Sequence, residues 1–167
     1  WLNGYGPTET TVTCTSYDPA GRYRLGSGDE LPIGRPMGNA RAYVLDASGT
    51  SRVPDGQAGE LWIGGSGVAV GYLGQPELTA ERFRPDPFVD DPTARMYRTG
   101  DRARWLPRGD LEYLGRSDRQ IKLRGFRIEP GEVERVLEQH PDVRQAFVAL
   151  RPDAGGGDDL FLPPYEM

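Results

Sequence analysis

The chain has 167 residues, a net charge of −5, 37% hydrophobic residues, 23 Gly and 15 Pro, a composition that fits a loop-rich globular protein of one ordinary domain or two small units. No apolar stretch approaches the roughly 20 residues that a membrane helix needs, and the acidic balance argues against nucleic acid as the main partner. The single cysteine, Cys14, excludes an intrachain disulfide and fits a reducing, cytoplasmic compartment, while the single histidine, His140, argues against a histidine metal site or a Ser–His–Asp triad.

Residues 1–40 are turn-rich, with NGYGPTE (3–9) as a Gly- and Pro-containing turn that also holds Tyr, Thr and Glu at fixed offsets. TETTVTCTSY, which follows from Thr8, is the best strand candidate there because β-branched residues alternate with smaller ones. RAYVLD (41–46) and GELWIGG (59–65) predict short buried strands, separated by a loop rich in Gly, Pro, Ser and Asp. GVAVGYL (67–73) is expected to continue the sheet, its glycines marking bulges or close backbone approach. QPELTAERF (75–83) predicts a short helix, and RPDPFVDDPTA (84–94) a proline-punctuated loop.

MYRTGD (96–101) leads into ARWLPRGDLEYLG (103–115), which predicts a β-hairpin with a polar, glycine-containing turn. IKLRGFRIEP (121–130) alternates basic residues around an Arg-Gly-Phe turn. A helix should begin near Pro130, a residue favoured in the first turn, with Glu132 and Glu134 near its positive end and Val133, Val136 and Leu137 as its apolar stripe. His140 falls near the C-terminal end of that helix, ahead of Pro141. VRQAFVAL (143–150) is expected to be a strand, RPDAGGGDD (151–159) a linker and LFLPPYEM (160–167) an abrupt end. Many strands followed by strand–helix–strand predict an α+β fold, with a seam in GRSDRQ (115–120).

NGYGPTETT, LPIGRPMGN, GELWIGGSGVAVGYLGQPELTAERF and MYRTGDRARWLPRGDLEYLGRSDRQIKLRGFRIEPGEVE stand in an order and spacing that resemble the later core motifs of adenylate-forming enzymes, most closely the amino-acid adenylation domains of nonribosomal peptide synthetases. The resemblance covers about residues 1–150. It implies a distorted β-barrel or sheet end of the large adenylation subdomain over 1–117. The start of the small mobile subdomain would follow over 118–150 and a linker with a truncated or interrupted tail over 151–167. Such enzymes join a carboxylic acid to ATP, giving an acyl-adenylate and pyrophosphate, and pass the acyl group to the phosphopantetheine thiol of a peptidyl carrier protein.

By resemblance, Asn3, Gly4 and Tyr5 would line the adenine pocket with the Tyr5 ring against the base, and Thr8 would hydrogen-bond the α-phosphate. Glu9 would help to hold Mg²⁺, Asp101 would bind the ribose hydroxyls of ATP or AMP, and Arg116 would reach ribose or phosphate. Asp118 would be the hinge of the small subdomain, and Gly4, Val12 and Thr13 would face the substrate's side chain. Lys122, Arg124 and Gly125 would belong to a loop swinging towards the thiol channel. The residue types suit these tasks: carboxylate oxygens suit Mg²⁺, a carboxylate can accept from both hydroxyls of a ribose diol, and glycines admit close approach of a ligand.

The family's glycine-rich phosphate loop and its catalytic lysine are not in the 167 residues, where Lys122 is the only lysine. The chain therefore looks like part of something longer and is expected not to adenylate without the remainder of the domain. An acyl-CoA or aryl-acid ligase fragment and a non-catalytic module that binds nucleotide or a carrier protein stay open as alternatives. RNA binding through RGFR is opposed by the acidic charge. Arg116 and Asp118 could equally form a surface ion pair, and KLRGFR a charged edge strand.

Overall fold

The computed structural model describes residues 2–19, 30–123, 126–152 and 158–161, with residues 122, 127, 151–152 and 158–161 described by their backbone alone. The chain divides between Ser117 and Asp118 into two compact units. In the first, strands β1 (Asn3–Tyr5), β2 (Thr15–Tyr17) and β3 (Arg35–Pro36) form a small antiparallel sheet in that order. A larger antiparallel sheet holds β4 (Ala40–Leu45), β5 (Gly59–Gly65), β6 (Phe83–Pro85), β7 (Arg95–Trp105) and β8 (Leu111–Arg116). Its order is β4-β5-β7-β6, and β8 pairs with β7.

Both faces of this sheet are covered, which is why its strands read as apolar runs rather than as strict alternation. Val44, Leu61 and Ile63 pack with Cys14, Ile33, Ala103 and Leu111 on one face. The residues between them, Tyr43, Leu45 and Trp62, join Met96 on the other. Each such side chain contributes on the order of 1.5–3 kcal/mol when fully buried. Helix α1 (Pro76–Arg82) begins on its proline, carries Glu77 in the first turn and Arg82 in the last, and ends where Phe83 adopts an extended backbone. That arrangement satisfies both ends of the helix dipole.

In the second unit β9 (Ile121–Leu123) and β10 (Phe126–Ile128) pair antiparallel, helix α2 (Pro130–Leu137) follows, and β11 (Ala149–Pro152) pairs antiparallel with β12 (Asp158–Phe161). Ile121, Ala146 and Val148 are buried. Among the described residues no helix is long and apolar enough to cross a membrane.

Four sequence expectations change. TETTVTCTSY is a strand only over β2, because the segment first closes a 3-10 turn at Thr8–Thr10 and then passes through Thr11 and Val12 at φ 60° and 68°. GVAVGYL does not extend the sheet: it turns back onto the 3-10 segment, where the Ala69 amide donates to the Glu9 carbonyl at 2.9 Å. VRQAFVAL enters a strand only at Ala149. The amides of Ala146 and Val148 are taken instead by the carboxylates of Glu138 (3.1 Å), which caps α2, and of Glu134 (2.8 Å) within it. The expected linker RPDAGGGDD lends its ends to the paired strands β11 and β12, with residues 153–157 and 162–167 lying outside the described residues.

Candidate functional site

One buried carboxylate on the β7–β8 hairpin gathers a side chain from the neighbouring strand and one from β1, 96 positions away. Asp101 lies on β7 and is 3% exposed. It stands opposite Arg116 of β8, next to a register shift between Asp101 and Ala103, an irregularity of the kind that re-aims a side chain. Gly100, at φ 74°, makes the turn of backbone just before it, a conformation that favours glycine. Arg116 donates through Nη1 to Asp101 Oδ1 at 2.8 Å and through Nη2 to the Thr99 carbonyl at 3.2 Å. The Tyr5 hydroxyl, from β1, donates to Asp101 Oδ2. The Tyr113 hydroxyl lies 3.5 Å from Oδ1.

Thr99 fixes the backbone beneath this group. Its hydroxyl donates to the Leu61 carbonyl at 2.6 Å and accepts from the Asp101 amide at 3.0 Å. Burial, followed by the neighbouring Asp101 carboxylate, pushes the Tyr5 phenol well above its ordinary value, so it remains a proton donor throughout the neutral range. The Tyr5 and Tyr113 rings are tilted by 40° to each other with centroids 6.4 Å apart. Two aromatic faces beside a charged carboxylate can hold a planar base and a diol together.

A second cluster surrounds Glu9, which is buried within the 3-10 turn. The Tyr72 hydroxyl donates to Glu9 Oε1 at 2.7 Å and lies 3.4 Å from the Tyr97 hydroxyl. Burial first, then Tyr97 and Glu9, raise the Tyr72 phenol far above its ordinary value. Among the described residues no group of three or more His, Cys, Asp or Glu is placed to hold a metal ion. A single carboxylate fits Mg²⁺ as that ion is usually bound with nucleotides, through one or two carboxylates together with phosphates and waters.

The remaining sequence-derived residues distribute as follows. Asn3 Nδ2 donates to the Pro32 carbonyl at 2.8 Å, tying β1 to the segment before β3. Thr8 opens the 3-10 turn and is exposed. Gly4 and Thr13 are adjacent: a Cβ on Gly4 would meet Thr13 Cγ2 at 3.3 Å. Val12 is 72% exposed. Thr13 also lines a pocket of about 410 Å³ shared with Thr10, Cys14 and Ile63. Cys14 is buried, and burial raises its thiol above the ordinary range.

Asp118 and Lys122 belong to the second unit. There Asp118 Oδ1 accepts from the Gln120 amide at 3.2 Å, and Lys122 sits in β9. Arg124 and Gly125 lie outside the described residues. His140 is in the turn after α2, its amide donating to the Leu137 carbonyl at 3.1 Å. Trp62 is buried in the core. The sequence motifs give no site role to Thr99, Tyr72 or Tyr113. The only signal for Thr99 and Tyr72 is their presence inside the YRTGD and GVAVGYL motifs.

A family model described as AMP-binding enzyme matches residues 1–73. The chain is 51% identical over 164 residues to tyrocidine synthase 3 of Brevibacillus parabrevis, covering 96% of this chain and 2% of that protein. It is 53% identical over 154 residues to surfactin synthase subunit 1 of Bacillus subtilis (strain 168), covering 92% of this chain and 4% of that protein. The chain thus spans a few per cent of the length of these curated relatives. Among solved structures it resembles holo-PA1221, an NRPS protein containing adenylation and PCP domains bound to a vinylsulfonamide inhibitor. That likeness has a TM-score of 0.78 at 30% identity and covers 95% of this chain and 27% of that one.

Proposed function

The chain belongs to the AMP-binding enzymes, with the adenylation domains of nonribosomal peptide synthetases, and on that premise we propose that it forms part of a domain that activates an amino acid with ATP. The thiol of a carrier protein's phosphopantetheine would then attack the aminoacyl carbonyl, taking the aminoacyl group as a thioester and releasing AMP. The observation that carries this reading is the convergence of Tyr5 and Arg116, from two other motifs, on the buried carboxylate of Asp101. Asp101 would accept from the ribose hydroxyls, with Arg116 holding its carboxylate in place and available to ribose or phosphate. The Tyr5 ring would lie against the base, with Asn3 and Gly4 completing the pocket wall.

Thr8, exposed at the start of its turn, would donate to the α-phosphate. Glu9 would hold Mg²⁺, an ion that neutralises phosphate charge when bound. Adenylyl transfer depends mainly on such positioning and charge stabilisation. Gly4, Val12 and Thr13 would contribute to the amino-acid pocket. The phosphate loop and the lysine of the first half-reaction would come from the remainder of the domain. Asp118, at the boundary between the two units, would be the hinge residue, because a hinge needs only a few residues at an element boundary to absorb a change in φ and ψ. Lys122, Arg124 and Gly125 would serve the thiol-transfer state.

Asp101→Asn in the full-length protein tests the reading, since it keeps the shape of the side chain and removes its charge. Amino-acid-dependent ATP–pyrophosphate exchange is expected to lose about 10- to 100-fold in kcat/KM for ATP, the worth of one or two hydrogen bonds to a charged group. Exchange at the wild-type level would overturn the role given to Asp101.

A further inference from the structure

The loop 66–72 is docked on the 3-10 turn by three hydrogen bonds of different kinds. Thr11 Oγ1 donates to the Gly67 carbonyl at 2.8 Å, the Ala69 amide donates to the Glu9 carbonyl at 2.9 Å, and the Tyr72 hydroxyl donates to Glu9 Oε1 at 2.7 Å. Glu9 is therefore held by the same loop at its backbone and at its carboxylate. Tyr72 in turn is fixed at both of its ends. Its amide donates to Thr79 Oγ1 of α1 at 2.9 Å, and its ring packs edge-on against Phe83 at 5.3 Å. Phe83 packs at a tilt, with ring centroids 5.0 Å apart, against Tyr97, whose hydroxyl lies 3.4 Å from that of Tyr72. Gly71, at φ 149°, allows the loop to pass Thr79, where a Cβ would come within 2.4 Å of Thr79 Cγ2.

A side chain anchored at both ends and donating to a buried carboxylate restricts the rotamers of that carboxylate. Such a donor determines which way the other oxygen faces, and partners of this kind orient metal-binding carboxylates elsewhere in proteins. We propose that Tyr72 is a positioning residue for Glu9, holding one carboxylate oxygen so that the side chain is preset for a divalent cation arriving with ATP. The proposal rests on the reading of Glu9 as the metal-holding carboxylate. It adds a residue that does not itself touch cation or nucleotide.

The test uses Mn²⁺ as the probe in the full-length protein, with free Mn²⁺ counted by electron paramagnetic resonance in the presence of a non-hydrolysable ATP analogue. Wild type, Glu9→Gln, Tyr72→Phe and the double variant are compared. Tyr72→Phe is expected to weaken Mn²⁺ binding about 10-fold, the usual scale for loss of an outer-shell partner. In the Glu9→Gln background the same change is expected to cost less than about twofold, because its effect passes through Glu9.

Wild-type affinity in Tyr72→Phe alongside weakened binding in Glu9→Gln would overturn the proposal and leave the role of Glu9 standing, as would an equal loss from Tyr72→Phe in both backgrounds. Unchanged affinity in Glu9→Gln would overturn the role of Glu9 and the proposal together. Tyr72→4-methylphenylalanine keeps the ring and its bulk without a donor, and carries the test if Tyr72→Phe does not fold. Tyr72→4-aminophenylalanine restores a donor at the same place and is expected to return binding to within about threefold of wild type. Failure of that rescue in a folded variant would count against the proposal.

Discussion

At the scale of single residues, the Asp101–Arg116 pair does two things, and they can be separated by experiment. Both side chains are largely withdrawn from water, at 4% and 11% exposure, so removing one partner leaves a charge in a poorly hydrated place. Arg116→Met is expected to cost about 3 kcal/mol in urea unfolding, the usual penalty for breaking a buried pair from one side. Adding Asp101→Asn to Arg116→Met should recover most of that loss, since no charge is then stranded and Tyr5 can still donate to the amide oxygen. A double variant as unstable as Arg116→Met alone would show that packing, not charge, holds this place together. The residues of the pair were legible because each sits in a recognisable motif, YRTGD or GRSD. Their mutual contact was not legible, since it depends on a register shift in β7 and β8 that no sequence periodicity marks. Tyr72 was illegible for a related reason: its partner Glu9 lies 63 positions away.

At the scale of elements, propensity gave the right answer where burial agreed with it. GELWIGG is β5 to the residue, and Pro76 and Pro130 each open a helix. It gave the wrong answer at 143–148, where a segment with strand character gives the amides of Ala146 and Val148 to carboxylates in and just after α2. Glu134 is the centre of that arrangement. Its carboxylate is held below the ordinary 4.5, first by Arg119, which donates to it at 2.6 Å, and then by the Val148 amide. The folded form therefore favours the ionised carboxylate more than the unfolded chain does. Its contribution to stability is full above the unfolded value of 4.5 and is lost as pH falls through the lower folded value. Glu134→Gln is expected to lower the urea midpoint of the second unit at about pH 7, and the gap to wild type should narrow as pH falls progressively below 4.5. The check is a pair of urea titrations followed by circular dichroism. A difference that persists undiminished at the lower pH would rule out the charge as its source.

At the scale of the whole molecule, the two units differ in how much core supports them. The first buries Val44, Leu45, Leu61, Trp62, Ile63, Met96, Tyr97 and Leu111 around one sheet, while the buried apolar residues described in the second are Ile121, Pro130, Ala146 and Val148. A unit of about 50 residues hides a smaller fraction of its surface than a larger one and is correspondingly less stable. Composition pointed to the choice between one domain and two small units, and the motif GRSDRQ contains the boundary between Ser117 and Asp118. The imbalance between the cores was not legible, because the apolar residues of IKLRGFRI alternate with basic ones as in any half-buried strand, and nothing in that pattern says how much core lies beneath it. Native-state hydrogen exchange resolves it amide by amide. The amides of Trp62, Ile63, Tyr97 and Arg98, within the β5–β7 pairing, are expected to exchange at least about 10-fold more slowly than those of Ile121, Val133 and Val136, since exchange from a core follows its opening free energy. Equal protection in both sets would mean that the two units open as one cooperative body. In that case a rotation of the small unit about Asp118 would have to break contacts that the larger core depends on, and the hinge assignment would fail with it.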